Sequence, residues 1–191
     1  VAAVLHDSML TIRDLQLAGP ALEGRGSGQI ALVEGASSDF SYDFTRADLA
    51  QLRAATGRDM QGLVSTTGRV TGPGSALHAV GDATITRLDA FDVSALTTTV
   101  HYDATIPTSD TARASAKLEG HGEFLTVLGQ ALQEVTGTTT YDGDRIAFDL
   151  GVTKAEGARG RLAGTVVLHS GQPEASILDL TVALGSATWR L

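Results

Sequence analysis

From Arg145 to Leu191 the chain alternates apolar and polar residues with a period of two, a pattern that few folds accept. Ile146, Phe148, Leu150 and Val152 are apolar, while Arg145, Asp149 and Thr153 among them are polar. The beat continues through Leu162, Val166 and Leu168, then through Leu178, Leu180, Val182 and Leu184. Successive side chains of a strand point to opposite faces, so each run predicts a strand with one apolar and one polar side. Glu156-Gly157, Ser170-Gly171-Gln172-Pro173 and Gly185-Ser186 close these runs with turn residues. Links this short suit antiparallel neighbours, because a parallel pair needs a crossover of about a dozen residues or more. A meander with one oily side is expected. What that side faces is the functional question.

The 191 residues have room for one large β domain or two small ones. Aromatics make up only 5% of a chain that is 42% hydrophobic, so any packed surface is mostly aliphatic. Glycine (22) far outnumbers proline (4), which fits turns and bulges rather than a proline-rich linker. A net charge of -8 repels phosphate backbones and anionic head groups, which argues against nucleic acid as a partner and against charge-driven docking on membranes. The absence of cysteine removes disulfides, zinc–thiolate sites and thiol nucleophiles. No run approaches the roughly 20 apolar residues of a membrane-spanning helix. With no signal-peptide pattern after Val1 and a final run that stops inside an apparent strand, a segment of a longer protein is expected.

Met9 to Leu17 reads as a strand whose phase changes: Leu10 and Ile12 share one face, Leu15 and Leu17 the other. A bulge near Arg13-Asp14 is expected, since a shift of one residue flips every later side chain. Gly24, Gly26 and Gly28 alternate in the next run. A phosphate cradle would place such glycines between a strand and a helix, but Gln29 to Val33 continues as strand, so close backbone approach or a bend is expected. Phe40, Tyr42 and Phe44 form an aromatic stripe against Asp39, Ser41 and Asp43. Thr45 with Asp48 resembles a capping box, and with Leu49, Leu52 and a closing Gly57 it predicts a short helix. The period returns to two from Gly62, with Val64 and Val70 on one face, and Leu96, Val100, Tyr102 and Ile106 line one face of the run from Val93 to Ile106. A second helix is predicted over Glu123–Thr136, where Leu125, Leu128, Leu132 and Val135 recur at helical spacing. The helices would end alike at Gly57 and Gly137, which suggests units near 1–110 and 111–191 within one continuous segment, 1–191.

Chemistry-bearing motifs are sparse. The five histidines are dispersed with no metal-ligand spacing. Tyr141-Asp142-Gly143-Asp144-Arg145 lacks the remaining oxygen ligands of a calcium loop, and Asp-Gly is a strong hairpin turn. No catalytic residue, metal or cofactor is expected. The physical oddity is an excess of alternating strand over helix: the oily face must fold onto itself in a closed sandwich, recruit a second layer, or leave a groove for apolar cargo.

The runs Phe148–Gly157, Gly160–Val166, Leu178–Leu184 and Thr188–Leu191, with Gly62–Pro73 and Leu10–Gly28 before them, resemble the repeats of TamB and AsmA-like proteins. The resemblance implies a mainly β fold, a long curved antiparallel sheet folded into an open trough, with two short helices. It implies a periplasmic segment of an inner-membrane-anchored protein that passes phospholipid to the outer membrane. An outer-membrane barrel partner would dock through parts of such a protein that lie outside this chain. The expected lipid-contacting residues are Phe40, Tyr42, Phe44, Leu96, Val100, Ile146, Phe148, Leu150, Val166, Leu168, Leu178, Leu180 and Val182. The alternatives are an assembly module that guides outer-membrane strands by edge pairing, and a plain closed β scaffold.

Overall fold

The computed structural model describes residues 2–33, 35–51, 59–90, 93–110, 113–127, 129–154, 157–168, 175–184 and 187–190. Its strands are β1 (Ala2–His6), β2 (Met9–Ala18), β3 (Leu22–Ala31), β4 (Ser37–Asp48), β5 (Gln61–Pro73), β6 (Ala76–Ala90) and β7 (Val93–Pro107). They continue with β8 (Ser115–Val127), β9 (Gln130–Asp142), β10 (Arg145–Thr153), β11 (Arg159–Leu168), β12 (Ala175–Leu184) and β13 (Ala187–Arg190). All thirteen form one antiparallel sheet in which spatial order equals sequence order. No pairing joins β1 to β13, so the sheet is open.

Local chemistry dictates this meander. Asp7 and Ser8 turn β1 into β2 with φ of 45° and 60°, the mirror-image turn whose twist matches a hairpin. A hairpin turn does join β9 to β10, but its two-residue loop is Gly143-Asp144, with Gly143 at φ 64° in its first position. Asp142 is already paired to Arg145, so the loop lies one residue later than the expected Asp142-Gly143. The bulge expected at Arg13-Asp14 is present, as a register shift between Ile12 and Leu15 against β3.

No α-helix occurs among the described residues. The first expected helix is corrected where it is described: Thr45–Asp48 finish β4, and the rest, 52–57, falls outside the described residues. Thr45 is no helix cap because it belongs to a bulge, between Phe44 and Ala47, that shifts the register against β5. Asp48 Oδ1 accepts the Ala50 N–H at 3.1 Å, closing a turn instead. The second expected helix is also overturned. Glu123–Val127 ends β8 and Gln130–Thr136 begins β9, with Leu125 paired to Leu132 and Gly122 to Val135 across the hairpin. Partners close to a tight turn are separated by a few residues in sequence, and that separation imitates helical spacing.

Nor is the closed sandwich found. Among the described residues the strands in close backbone contact are ladder neighbours, and large apolar side chains such as Val4, Leu5, Leu96, Phe124 and Ile177 stay exposed, as they would not under a packed second layer. Among the described residues the buried apolar side chains are Ala31, Phe40, Ala90 and Ala95, too few and too small to be a dry core.

Candidate functional site

Pairing register writes the chemistry of each face across the strands. Gly26, Tyr42, Gly68, Gly81, Tyr102, Leu118, Thr139, Phe148, Gly164 and Leu180 are successive partners from β3 to β12. Two residues along on the same face run Gly24, Phe44, Thr66, Ala83, Val100, Gly120, Gly137, Leu150, Leu162 and Val182. Between these rows, on the opposite face, lie Arg25, Asp43, Thr67, Asp82, His101, Glu119, Thr138 and Asp149. One side is mainly glycine, aliphatic and aromatic, with Thr66 and Thr139 among them; the other is charged or hydroxylated.

Aromatic rings on the apolar side lie over glycines. A Cβ on Gly26 would stand 2.5 Å from Phe40 Cζ, one on Gly24 2.5 Å from Phe44 Cδ1, and one on Gly164 3.1 Å from Phe148 Cζ. Tyr42 reclines over Gly68 and Tyr102 over Gly81, and their hydroxyls meet above the middle of the pair. Thr66 Oγ1 adds a 2.8 Å hydrogen bond to Tyr102 and donates to Asp82 O at 2.9 Å. This chain of hydroxyls spans β4 to β7. Burial, and then the bond to Tyr102, push the Tyr42 phenol well above its ordinary 10.0.

The polar face is laced by ion pairs between neighbouring strands. Arg25 meets Asp43 at 2.8 Å and Arg69 meets Asp39 at 2.5 Å, while Arg161 clasps Asp149 with both arms of its guanidinium. Their hydrogen bonds to arginine hold Asp39 and Asp149 below the usual carboxylate range. His101 pairs with Asp82 (2.9 Å), His78 with Asp103 (2.6 Å) and His121 with Glu123 and Glu134. His169 lies outside the described residues. Among the described residues no three His, Asp or Glu side chains converge as metal ligands.

The structure brings Phe40, Tyr42, Phe44, Val100, Ile146, Phe148, Leu150, Val166, Leu180 and Val182 to the apolar face, by direct or two-residue offsets from the rows above. Leu168 ends β11 and is more exposed, and Leu178 sits at a register shift opposite Thr165/Val166. Leu96 departs from the set. It is 53% exposed beside Ala95, which is 4% exposed, so the buried face has changed phase by that point. Sequence reasoning missed Leu125 and Val135 as apolar-face strand residues because the hairpin disguised them as a helix. Leu118, whose alternation with Lys117 and Glu119 marks it as apolar-phase in the sequence, also belongs to this face although it is not among the expected lipid-contacting residues.

A hollow of about 170 Å³ opens on the apolar face where Gly120, Gly122 and Gly137 form the floor and Val100, Leu118, Leu125 and Leu150 the walls. Beside it the buried Thr98 hydroxyl has no hydrogen-bond partner among the described residues. No family model, curated protein or solved structure matches this chain.

Proposed function

We propose that this chain is a non-enzymatic stretch of a lipid conduit, its sheet curved into a trough that holds phospholipid acyl chains between inner and outer membranes. The observation that carries the reading is an unclosed thirteen-stranded sheet whose apolar face has no second layer among the described residues. Such a face is costly in water and marks a surface that meets something apolar. Each acyl methylene removed from water contributes about 0.8 kcal/mol, which an aliphatic lining supplies without selecting a head group. The net charge of -8 disfavours anionic head groups at the surface, so the chains and not the phosphates would be held. The resemblance to TamB and AsmA-like repeats supports the same reading, with a periplasmic location.

Native mass spectrometry of the purified chain tests it, with co-purified phospholipid as the expected result. Phe148→Asp is expected to remain folded by circular dichroism yet lose that lipid, since a charge on an open face stays hydrated. Unfolding of Phe148→Asp, or a wild-type chain free of lipid under all conditions, would sink the reading. Photocrosslinkers at Leu150 that capture polypeptide instead of lipid would favour the assembly module.

A further inference from the structure

The two edges of the sheet are stepped, and in opposite senses. β1 pairs with Met9–Asp14, and among the described residues no strand lies beside Leu15–Ala18 on that side of β2. β13 pairs with Thr181–Leu184, and among the described residues no strand lies beside Ile177–Leu180 on that side of β12. Strands alternate in direction across the sheet, so β2 and β12 run the same way and β1 and β13 run against them. One edge therefore lacks a strand beside the end of β2, the other beside the start of β12. Large apolar side chains stand at both steps: Val4 and Leu5 are 52% and 62% exposed, Ile177 and Leu178 61% and 57%. Neither β1 nor Ile177–Leu180 carries the lysine or proline that guards a sheet edge.

We infer that a second copy of this chain docks head to tail on these edges, β13 of one copy and β1 of the next together forming one strand between β12 and β2. The lengths agree. The four residues of β13 match Leu15–Ala18, and the five of β1 span Ile177–Leu180. Both new pairings are antiparallel. The faces agree as well: Leu15 and Leu17 share the apolar side with Gly26 and Gly24, Ala3 and Leu5 with Ile12 and Leu10, and Ile177 with Val166. Charge completes the fit. Arg190, in register with Thr181, lies on the polar side and has no ion-pair partner among the described residues. Asp14 accepts from Gln16 at 3.0 Å on that same side, and docking brings Arg190 to the next copy's Asp14. A contact of this kind joins unlike surfaces and does not close, so copies add in a row and lengthen one sheet. The inference does not depend on any apolar cargo.

Sedimentation velocity of the purified chain tests it, with species that lengthen as concentration rises as the expected result. Arg190→Asp and Asp14→Arg each set like charges across the contact and are expected to weaken association at least about fivefold. An equimolar mixture of the two variants has opposite charges at every alternating junction and is expected to assemble as wild type does. Leu5→Lys, at an exposed position of β1, is expected to abolish assembly with an unchanged circular dichroism spectrum. Should Leu5→Lys disturb the fold, the mixture of charge variants still decides the matter. A wild-type chain that stays monomeric at every concentration would overturn the inference. So would a closed dimer, or a mixture that assembles no better than its components. Any of these leaves the open-face reading standing, because that reading concerns the face of the sheet and not its edges.

Discussion

At the scale of single residues, glycine and tyrosine act as a unit. A Cβ on Gly81 would collide with Thr67 O and stand 2.7 Å from Tyr102 Cζ, so Gly81→Ala must shift backbone as well as ring and is expected to cost about 1–3 kcal/mol in urea unfolding. Gly120→Ala meets only ordinary contacts and is expected to be neutral or to gain about 0.5–1 kcal/mol, because alanine loses less backbone entropy. Equal effects at both positions would refute the distinction between roofed and open glycines. Acid sensitivity also resides in single residues. Hydrogen bonds to arginine lower the carboxyls of Asp39 and Asp149 beneath their ordinary 3.8, so each binds its proton less readily folded than unfolded. Their stabilisation is whole above that value and drains away as pH falls through the lower, folded one. Both pairs are exposed, so the effect is small. The urea midpoint of the Asp39→Asn, Asp149→Asn double variant is expected to fall short of wild type at pH 7 and to converge on it as acid protonates both carboxyls in the folded chain.

At the scale of elements, a row of unusual backbone crosses the middle strands. Gly62 in β5 (φ 137°), Arg87 in β6 (φ 54°) and Phe124 in β8 (φ 50°) have positive φ, and the flanking pairs align Arg87 and Phe124 with Leu96 of β7. Beyond this row Leu125 lies against Gly122, three residues earlier, where plain alternation would put them on opposite sides. The row reverses the phase of the strands, and this is why Leu96 and Phe124 are exposed. A bulky residue with left-handed φ is strained by about 1–2 kcal/mol, so Phe124→Gly is expected to be at least as stable as wild type, glycine's entropy cost included. Leu125→Gly, one residue on, is expected to lose about 2 kcal/mol or more. Thermal unfolding of the two variants decides it, and a larger loss for Phe124→Gly would disprove the strained row. The same row marks the limit of what alternation reveals. Period two located the run Arg145–Thr153 because no residue there breaks phase, and the flip at Arg13-Asp14 was legible because apolar pairs flank it closely. At Leu125 to Val135 a phase reversal and a hairpin coincide, and the sum of the two spacings is indistinguishable from a helix. The hollow was hidden for a different reason. Its floor is made of residues without side chains, whose partners are set by pairing across strands distant in sequence.

At the scale of the whole molecule, spatial order equal to sequence order has an energetic consequence. Each inner strand owes its stability to its two neighbours, as in a stacked repeat, and among the described residues close backbone contact joins ladder neighbours. Opening an edge strand breaks one ladder, whereas opening a central strand breaks two. The longest ladders join β5 through β9, where strands of 13 to 15 residues pair along most of their length. β1 has 5 residues and β13 has 4, each with a single partner. Hydrogen exchange should therefore be graded: amides of β6 and β7 slowest, protection falling outward to β1 and β13, with no single opening event common to all strands. Acyl chains added to the purified chain should, on the lipid-conduit reading, deepen protection in the strands whose apolar face they cover. Uniform protection that rises evenly with ligand would mean the sheet opens as one cooperative body, held by contacts other than its ladders. That result would remove the physical basis for an open face, because a surface that moves as one with its interior has been covered by something.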